Sequence, residues 1–248
     1  NLLMYCRAVA FCGFFYCFFS AFQSFGQQAT VSDSAFYASS LHQLHHIYFN
    51  QIGQSAELYN GAEYIRNGQK ANGFPFFESN DLLPGSVSCQ GVIYQDVQLQ
   101  YDLVLDELVT NNYAHNALIR IPREKLDSFS ISGHHFLRLD AAKTNGAFTD
   151  NGYYEQLTIN DVPVFAKRVK KLVVPNGYEE SKYVQYNTFY LKLKNGFYAV
   201  EGKNSLLDLL NDKRDLLKKF IRANKLNFKK RPEEAIVRTT SYYARLKS

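Results

Sequence analysis

The sequence lacks the local motifs by which several classes of enzyme are recognised. It contains no Gly-x-Ser-x-Gly nucleophile elbow of the α/β-hydrolase kind. Asp102 and Asp106 would lie roughly 13 Å apart on one strand face, farther than the roughly 5 to 9.5 Å between paired glycosidase carboxylates. We therefore expect both aspartates to be solvated strand residues. The Asn-Gly pairs at 60–61, 72–73, 145–146, 151–152 and 195–196, among others, are dispersed turn formers rather than a phosphate-binding loop.

Cysteine is scarce and tryptophan is absent. Three of the four cysteines, Cys6, Cys12 and Cys17, lie in an N-terminal apolar segment, and removal of that segment would leave Cys89 alone. An intramolecular disulfide would then be excluded, but a mature chain of 222 residues is long enough to bury a substantial core without one. Neither a histidine nor a helix start lies beside Cys89, so we expect a small buried apolar side chain rather than a reactive thiol.

The sequence also lacks an apolar run of the roughly twenty residues that a membrane-spanning helix needs. Arg7 precedes an apolar run of 15 residues, Ala8 to Phe22, and Ser24 and Gly26 follow at the spacing of a signal-peptidase site. We predict that residues 1–26 are a signal peptide; the rival interpretation is an uncleaved membrane anchor. The mature chain would then be a periplasmic, outer-envelope or extracellular protein and not an integral membrane protein.

Aromatic residues are abundant, with 20 Phe and 18 Tyr. Both residue types fit the pleated, half-buried surfaces of β-sheets. The clearest strand runs from Val97 to Leu105, where apolar and mostly polar residues alternate. This period of two predicts an antiparallel sheet with one buried and one wet face.

Further strands and turns follow the same pattern. We predict strands at Val87–Tyr94, in which Gln90-Gly91 is a turn or a bulge, and at Ser130–Leu139, which is followed by a polar loop from Asp140 to Gly152. Hairpins are predicted around Asn160-Asp161 and around Asn195-Gly196, because Asn and Gly tolerate the positive φ of tight turns. The region from Asn60 to Val200 should hold about eight to ten strands.

The C-terminal fifth changes to a helical pattern. Leucines and other apolar residues recur at helical spacing from Ser205, the predicted N-cap, to Ala223. A second helix is predicted from Pro232, which suits the first turn, to Leu246. The fold class is therefore α+β, mainly β: a curved antiparallel sheet or partial barrel with a C-terminal helix pair. We expect a partly helical lead-in over 27–57, a β body over 58–203, and a basic helical segment over 204–248 packed on the same domain.

Positive charge is concentrated at the C-terminus. Lys213 to Ser248 contains twelve basic and three acidic residues, whereas the remainder has sixteen basic and twenty acidic residues. A basic surface attracts polyanions through long-range electrostatics and counterion release. For an exported protein the available polyanions are lipid headgroups and acidic glycans, and nucleic acid is disfavoured. A solvated helix face is the alternative interpretation.

Histidines provide a weak indication of a metal site. His42, His45 and His46 cluster before the sheet, and on a helix His42 and His46 would share one face, as in helical zinc sites. The glutamate of the zinc-protease motif is absent between them, and no third ligand can be located, so we predict no metal site. His134 and His135 are adjacent on a strand and point to opposite faces, which prevents them from sharing an ion.

Several short motifs resemble those of a group of uncharacterised exported proteins of Bacteroidota-type bacteria. The similarity runs from Leu58 to Tyr243 and is carried by the segments 58–64, 91–94 with 101–102, 135–139, 152–155 and 224–228. It implies a β-rich fold and an envelope or secreted location. It brings no catalytic residues and no cofactor.

Three hypotheses for function follow. The first is a noncatalytic exported envelope protein that acts in protein binding or assembly. The second is a carrier of a lipid or other apolar ligand in a curved β-sheet, which requires an apolar cavity. The third is a metal-dependent enzyme, which rests on the histidine cluster. The sequence favours them in that order, and we predict no catalytic, metal or cofactor residues, while ligand-binding residues stay unassigned.

Overall fold

The computed structural model describes residues 57–66, 70–112, 116–143, 151–159, 162–177 and 180–247. The predicted signal peptide and the predicted lead-in as far as residue 56 lie outside these residues. In the described part of the chain, no helix has the length and apolar character needed to cross a membrane.

In the described residues ten strands form one open antiparallel sheet, which confirms the prediction of a mainly β fold with eight to ten strands. Their order in the sheet is β10-β9-β8-β7-β6-β5-β1-β2-β3-β4. The strands are β1 Leu83–Cys89, β2 Val92–Asp102, β3 Glu107–Asn112, β4 Ala117–Arg120, β5 Leu126–Ile131, β6 His134–Leu139, β7 Gly152–Gln156, β8 Val164–Val173, β9 Lys182–Leu193 and β10 Gly196–Val200.

The short connection from β4 to β5 indicates that the sheet is curved. These two strands are four positions apart in the sheet order, which would be about 19 Å in a flat sheet. Only residues 121–125 join them, and this link contains a turn in which Lys125 N donates to Pro122 O at 3.2 Å. Such a link reaches from β4 to β5 only because the sheet curls and brings them closer together.

The segment 72–77 connects distant parts of the curled sheet. Asn72 N donates to Ser181 O, and Tyr183 N donates to Asn72 O, at 2.7 and 3.0 Å. At its other end Phe77 N donates to Tyr101 O at 2.8 Å. The Lys170 ammonium on β8 donates to two carbonyls of the same segment. One short segment therefore ties β2 to β8 and β9.

Aromatic rings fill the concave side of the curled strands. Phe129 and Phe136 are stacked with ring centroids 4.8 Å apart, and Tyr101 meets both edge-on at 5.1 Å. Tyr153 and Phe77 complete the cluster and are also buried. Edge-to-face and stacked pairs of this kind stabilise a core beyond the area they bury. These five aromatic residues are therefore core residues.

A second core lies between the sheet and the C-terminal helices, α1 Lys203–Leu209, α2 Arg214–Ala223 and α3 Pro232–Arg245. α2 buries Leu217 and Ile221, and α3 buries Ile236 and Tyr243. Their partners on the sheet are apolar side chains of β8, β9 and β10, namely Val164, Ala166, Phe189, Leu191 and Val200.

Tight turns interrupt two of the predicted strands: the turn at Gln90-Gly91 is confirmed, whereas the prediction of a continuous strand over Ser130–Leu139 was wrong. Val87–Tyr94 and Ser130–Leu139 are not single strands but the hairpins β1-β2 and β5-β6. Gln90 and Gly91 have φ values of 49° and 80°, and Ser132 and Gly133 have 52° and 80°. Two consecutive positive φ values are typical of a type I′ hairpin turn. The hairpin at Asn195-Gly196 is confirmed, whereas Asn160-Asp161 lies outside the described residues.

For the predicted strand Val97–Leu105, the buried apolar face is confirmed. The predictions of a solvated face and of a C-terminal end at Leu105 were wrong. Val97, Leu99 and Tyr101 are buried, but so are Gln100 and Asp102 on the other side. The segments 63–66 and 72–77 cover that side: Arg66 donates to Gln100, and Phe76 forms a β-bridge with Asp102. β2 ends at Asp102 and a turn follows.

The predicted helix from Ser205 to Ala223 is two helices. α1 begins after an N-cap at Gly202, and Ser205 is its third residue, whose hydroxyl accepts from Gly202 N at 3.0 Å. Leu210 leaves the helical region, with φ −107° and ψ 39°, and a short 3₁₀ turn over Asn211–Lys213 precedes α2. Asn and Asp favour such breaks because their side chains compete with helical hydrogen bonds. The second helix and its Pro232 start are confirmed.

Gly85, in β1, is predicted to tolerate no side chain. A Cβ atom there would lie 2.2 Å from the backbone oxygen of Ser130, which is held in the paired strand β5, and 2.7 Å from Leu99 Cδ1. We expect Gly85→Ser to lower the free energy of unfolding by about 1–3 kcal/mol, the usual cost of overpacking. Urea denaturation of the purified protein measures the effect.

Gly202→Ser is the matched control, because a Cβ at Gly202 meets no atom within 4 Å and serine is a good N-cap residue. Equal stability losses in the two variants would contradict the steric account.

Candidate binding surfaces

A chain of buried and half-buried charges joins the two cores. Glu155 on β7 is only 3% exposed, and its carboxylate is bound by Arg168 Nε on β8 and by His134 Nδ1 on β6, the latter at 2.5 Å. Arg168 Nη2 donates to Glu233 of α3 at 2.9 Å. His134 Nε2 lies 3.1 Å from Glu78. This charged chain links three strands to the N-terminal turn of α3.

The environment of Arg168 favours its charged form. Burial alone lowers the pKa of the guanidinium, but the carboxylates of Glu155 and Glu233 outweigh burial, and the pKa of Arg168 is raised. Both nitrogens of His134 face a carboxylate oxygen, and the edge of the Phe77 ring closes over the imidazole at 5.0 Å. With both nitrogens engaged, His134 is placed as a structural bridge between Glu78 and Glu155.

Asp102 and Asp106 are not solvated strand residues, so that prediction was wrong. The Asp102 carboxylate is buried and accepts hydrogen bonds from Tyr64 Oη at 2.7 Å and from two backbone amides of the following turn. Asp106 lies in that turn and accepts from Tyr101 Oη at 2.5 Å and from Lys167 at 2.9 Å. The two carboxylates fix a turn and do not converge on a common site.

These contacts also affect the partners of the aspartates. Burial and then the hydrogen bond to Asp102 raise the pKa of Tyr64. Burial and then the Asp106 charge raise the pKa of Tyr101 well above its usual value. Both phenols are therefore held protonated as hydrogen-bond donors.

The candidate metal ligands are not brought together in the described part of the chain. His42, His45 and His46 lie outside it. His134 faces Glu155, whereas its neighbour His135 points to the opposite face and contacts Ser130 Oγ at 2.9 Å. Within the described residues no group of three or more His, Cys, Asp or Glu side chains could hold a metal ion. Cys89 is a buried side chain, as predicted.

Five exposed basic side chains on α2 and the turn after it form what we call the basic surface: Lys219, Arg222, Lys225, Lys229 and Lys230. Several other basic residues of the C-terminal segment have acidic partners. Arg214 pairs with Asp208, Lys218 with Asp215, and Arg231 and Arg238 with Glu234. Among the described ion pairs, none involves a residue of the basic surface.

The backbone that carries the basic surface is well fixed. The Asn227 side chain accepts hydrogen bonds from Lys229 N and Lys230 N at 3.0 and 2.9 Å. On either side of Asn227, Leu226 and Phe228 pack against the second core. The lysines therefore project from a closed turn that is anchored by apolar side chains.

A cleft separates the N-terminal turn of α3 from β9. Its larger part has a volume of about 470 Å³ and its smaller part about 280 Å³, and both are lined by Asn187, Phe189 and Pro232. Phe228 and Ile236 add apolar walls at the smaller part. The wall carboxylates Glu233 and Glu234 are paired with arginines, whereas Glu201, at the smaller part, has no ion pair among those described.

Comparison of the chain with protein-family models, with curated proteins and with solved structures finds no match.

The charged chain was missed by the sequence analysis, although a signal for it exists. Val164, Ala166 and Arg168 alternate along β8, so that Arg168 falls on the face that holds buried apolar residues. Glu155 likewise follows the buried Tyr153 at a spacing of two. A charged residue at a core position of an alternating strand indicates a buried partner of opposite charge. The sequence carries no such signal for the cleft, because the cleft depends on how α3 packs against β9.

The ion pair of Glu155 and Arg168 is expected to be sensitive to loss of one partner. Arg168→Met leaves a buried carboxylate without its main counter-charge, and we predict a loss of about 3–5 kcal/mol in the free energy of unfolding. Urea denaturation measures it. The double variant Glu155→Leu with Arg168→Met should recover much of the loss, because no unpaired charge remains buried.

Arg238→Met provides the matched control, since its exposed pair with Glu234 should contribute about 1 kcal/mol or less. A loss at Arg168 no larger than that at Arg238 would contradict the account.

Proposed function

We propose that this chain is a noncatalytic exported protein of the cell envelope that acts in binding or assembly, and that the basic surface holds it against anionic lipid headgroups. The observation that carries the proposal is the cluster of five exposed, basic side chains without a described acidic partner on a fixed turn. The predicted signal peptide, and the resemblance to exported proteins, support the envelope location.

Anionic lipid is the partner that suits the amphipathic character of α2. Leu216 is 43% exposed, and it lies three residues before Lys219, so that both share one stripe of the helix. An exposed apolar side chain among lysines can enter the headgroup region of a bilayer while the ammonium groups contact phosphates. An amphipathic helix with a basic face is typical of proteins that lie on anionic membranes.

The alternative, carriage of an apolar ligand inside the curved sheet, has less support. A carrier needs an apolar cavity, whereas the concave side of the sheet is occupied by the packed rings of Tyr101, Phe129, Phe136 and Tyr153. A catalytic function has less support as well, because His134 and the buried carboxylates of Asp102 and Glu155 are engaged in structural contacts.

Charge reversal in the turn tests the proposal. Each Lys or Arg close to an anionic membrane contributes about 1 kcal/mol, so Lys229→Glu with Lys230→Glu should weaken binding to phosphatidylglycerol vesicles by roughly 30-fold or more. Binding of the unaltered protein should fall as salt is raised, because the attraction is screened. Co-sedimentation of the purified mature chain with vesicles measures both effects.

Lys171→Glu with Lys182→Glu is the matched control. It changes the net charge equally, at two exposed lysines of β8 and β9 outside the basic surface. An equal loss in both double variants would show that only net charge matters, and failure of the unaltered protein to bind at low salt would overturn the proposal.

A further inference from the structure

Among the described residues, no segment pairs with the outer edge of β9 between two segments that do pair with it. At one end Asn72 pairs in parallel with the edge through Ser181 and Tyr183, and at the other end β10 pairs with it from Phe189 onward. The stretch between residues 183 and 189 is roughly 20 Å long at about 3.3 Å per residue. By contrast, the outer edge of β4 is covered by residues 62–64.

The free backbone groups in this stretch belong to Gln185 and Asn187. Even-numbered residues of β9 face β8, as the hydrogen bond from Lys192 N to Pro163 O indicates, and odd-numbered residues face the outer edge, as Tyr183 does toward Asn72. The amides and carbonyls of Gln185 and Asn187 therefore point outward, and no described backbone group pairs with them. Residues 185–188 are all exposed.

The two faces beside this edge differ in chemistry. On one face the edge borders the cleft, whose apolar lining includes Phe189, Phe228 and Pro232. On the other face lie Tyr186, which is 50% exposed, and Lys171, whose ammonium is 5.8 Å from the centre of the Tyr186 ring. Lys182 is on that same face, because its side chain alternates with those of 183 and 185. β8 and β9 contain no acidic residue.

We infer that the open edge of β9 binds an extended peptide segment of a partner protein, with alternating apolar and acidic residues. Its backbone pairs with Gln185 and Asn187 as an added strand. Its apolar side chains enter the cleft, and its acidic side chains meet Lys171 and Lys182. Backbone pairing gives such sites affinity, and the alternating side chains give them specificity. Asn72 already pairs with this edge in the same manner. The site shares no residue with the basic surface and does not depend on the proposed lipid contact.

The test is a fluorescence anisotropy titration of the full mature chain with a labelled hexapeptide of alternating glutamate and valine. We expect saturable binding. Asn187→Pro removes one outward amide while the bonds to β8 stay intact, and it should weaken binding about tenfold. Asn187→Ala keeps the amide and should change binding by about twofold or less.

Altered peptides test the site without changing the protein. N-methylation of the peptide at alternate residues removes the donors needed for pairing and should abolish saturable binding, and replacement of its glutamates by lysines should do the same. Equal binding of the N-methylated peptide, or no saturable binding of the original peptide, would overturn the inference. So would a homodimer that Asn187→Pro dissociates, because the occupant of the edge would then be a second copy of the chain.

Discussion

The buried ion pair between Glu155 and Arg168 is the interaction on which the relation of the sheet to the helices depends. Glu155 lies where the aromatic core of the curled strands meets the second core. Arg168 binds Glu155 and also Glu233 at the start of α3. A buried carboxylate is tolerated only when it is paired and hydrogen-bonded, so these partners must keep their relative positions. The position of α3 in turn sets the cleft beside β9 and the turn that carries the basic surface.

The same arrangement leaves the outside of the molecule available for binding. The concave side of the sheet is filled by aromatic rings, and the described charged groups near it are engaged with one another. Two features without a described partner lie at the surface: the basic side chains of α2 and the turn after it, and the backbone groups of Gln185 and Asn187. Unpaired charge and unpaired strand edges are the features through which proteins attract polyanions and extended peptides.

Much of the fold follows from local patterns in the sequence, but the contacts between distant segments do not. Period-two alternation identifies β2, and Pro232 marks the start of α3, because each depends on neighbouring residues. The turns at Gln90-Gly91 and Ser132-Gly133 carry a weaker signal than Asn-Gly, and the second of them was missed. The burial of Asp102 could not be predicted, because it is caused by Tyr64 and Phe76 from a separate segment. For the same reason the sequence indicates the basic segment but neither the open edge nor the cleft.

Hydrogen–deuterium exchange tests most directly whether the protein binds anionic lipid through the basic surface. It is recorded on the full mature chain with and without vesicles that contain phosphatidylglycerol. The account predicts slower exchange of backbone amides in α2 and in the turn over 224–231 when vesicles are present, with no change in the strands β5 and β6 that line the aromatic core. Slower exchange in β5 and β6, with none in the turn, would contradict it and would instead favour a ligand inside the curved sheet.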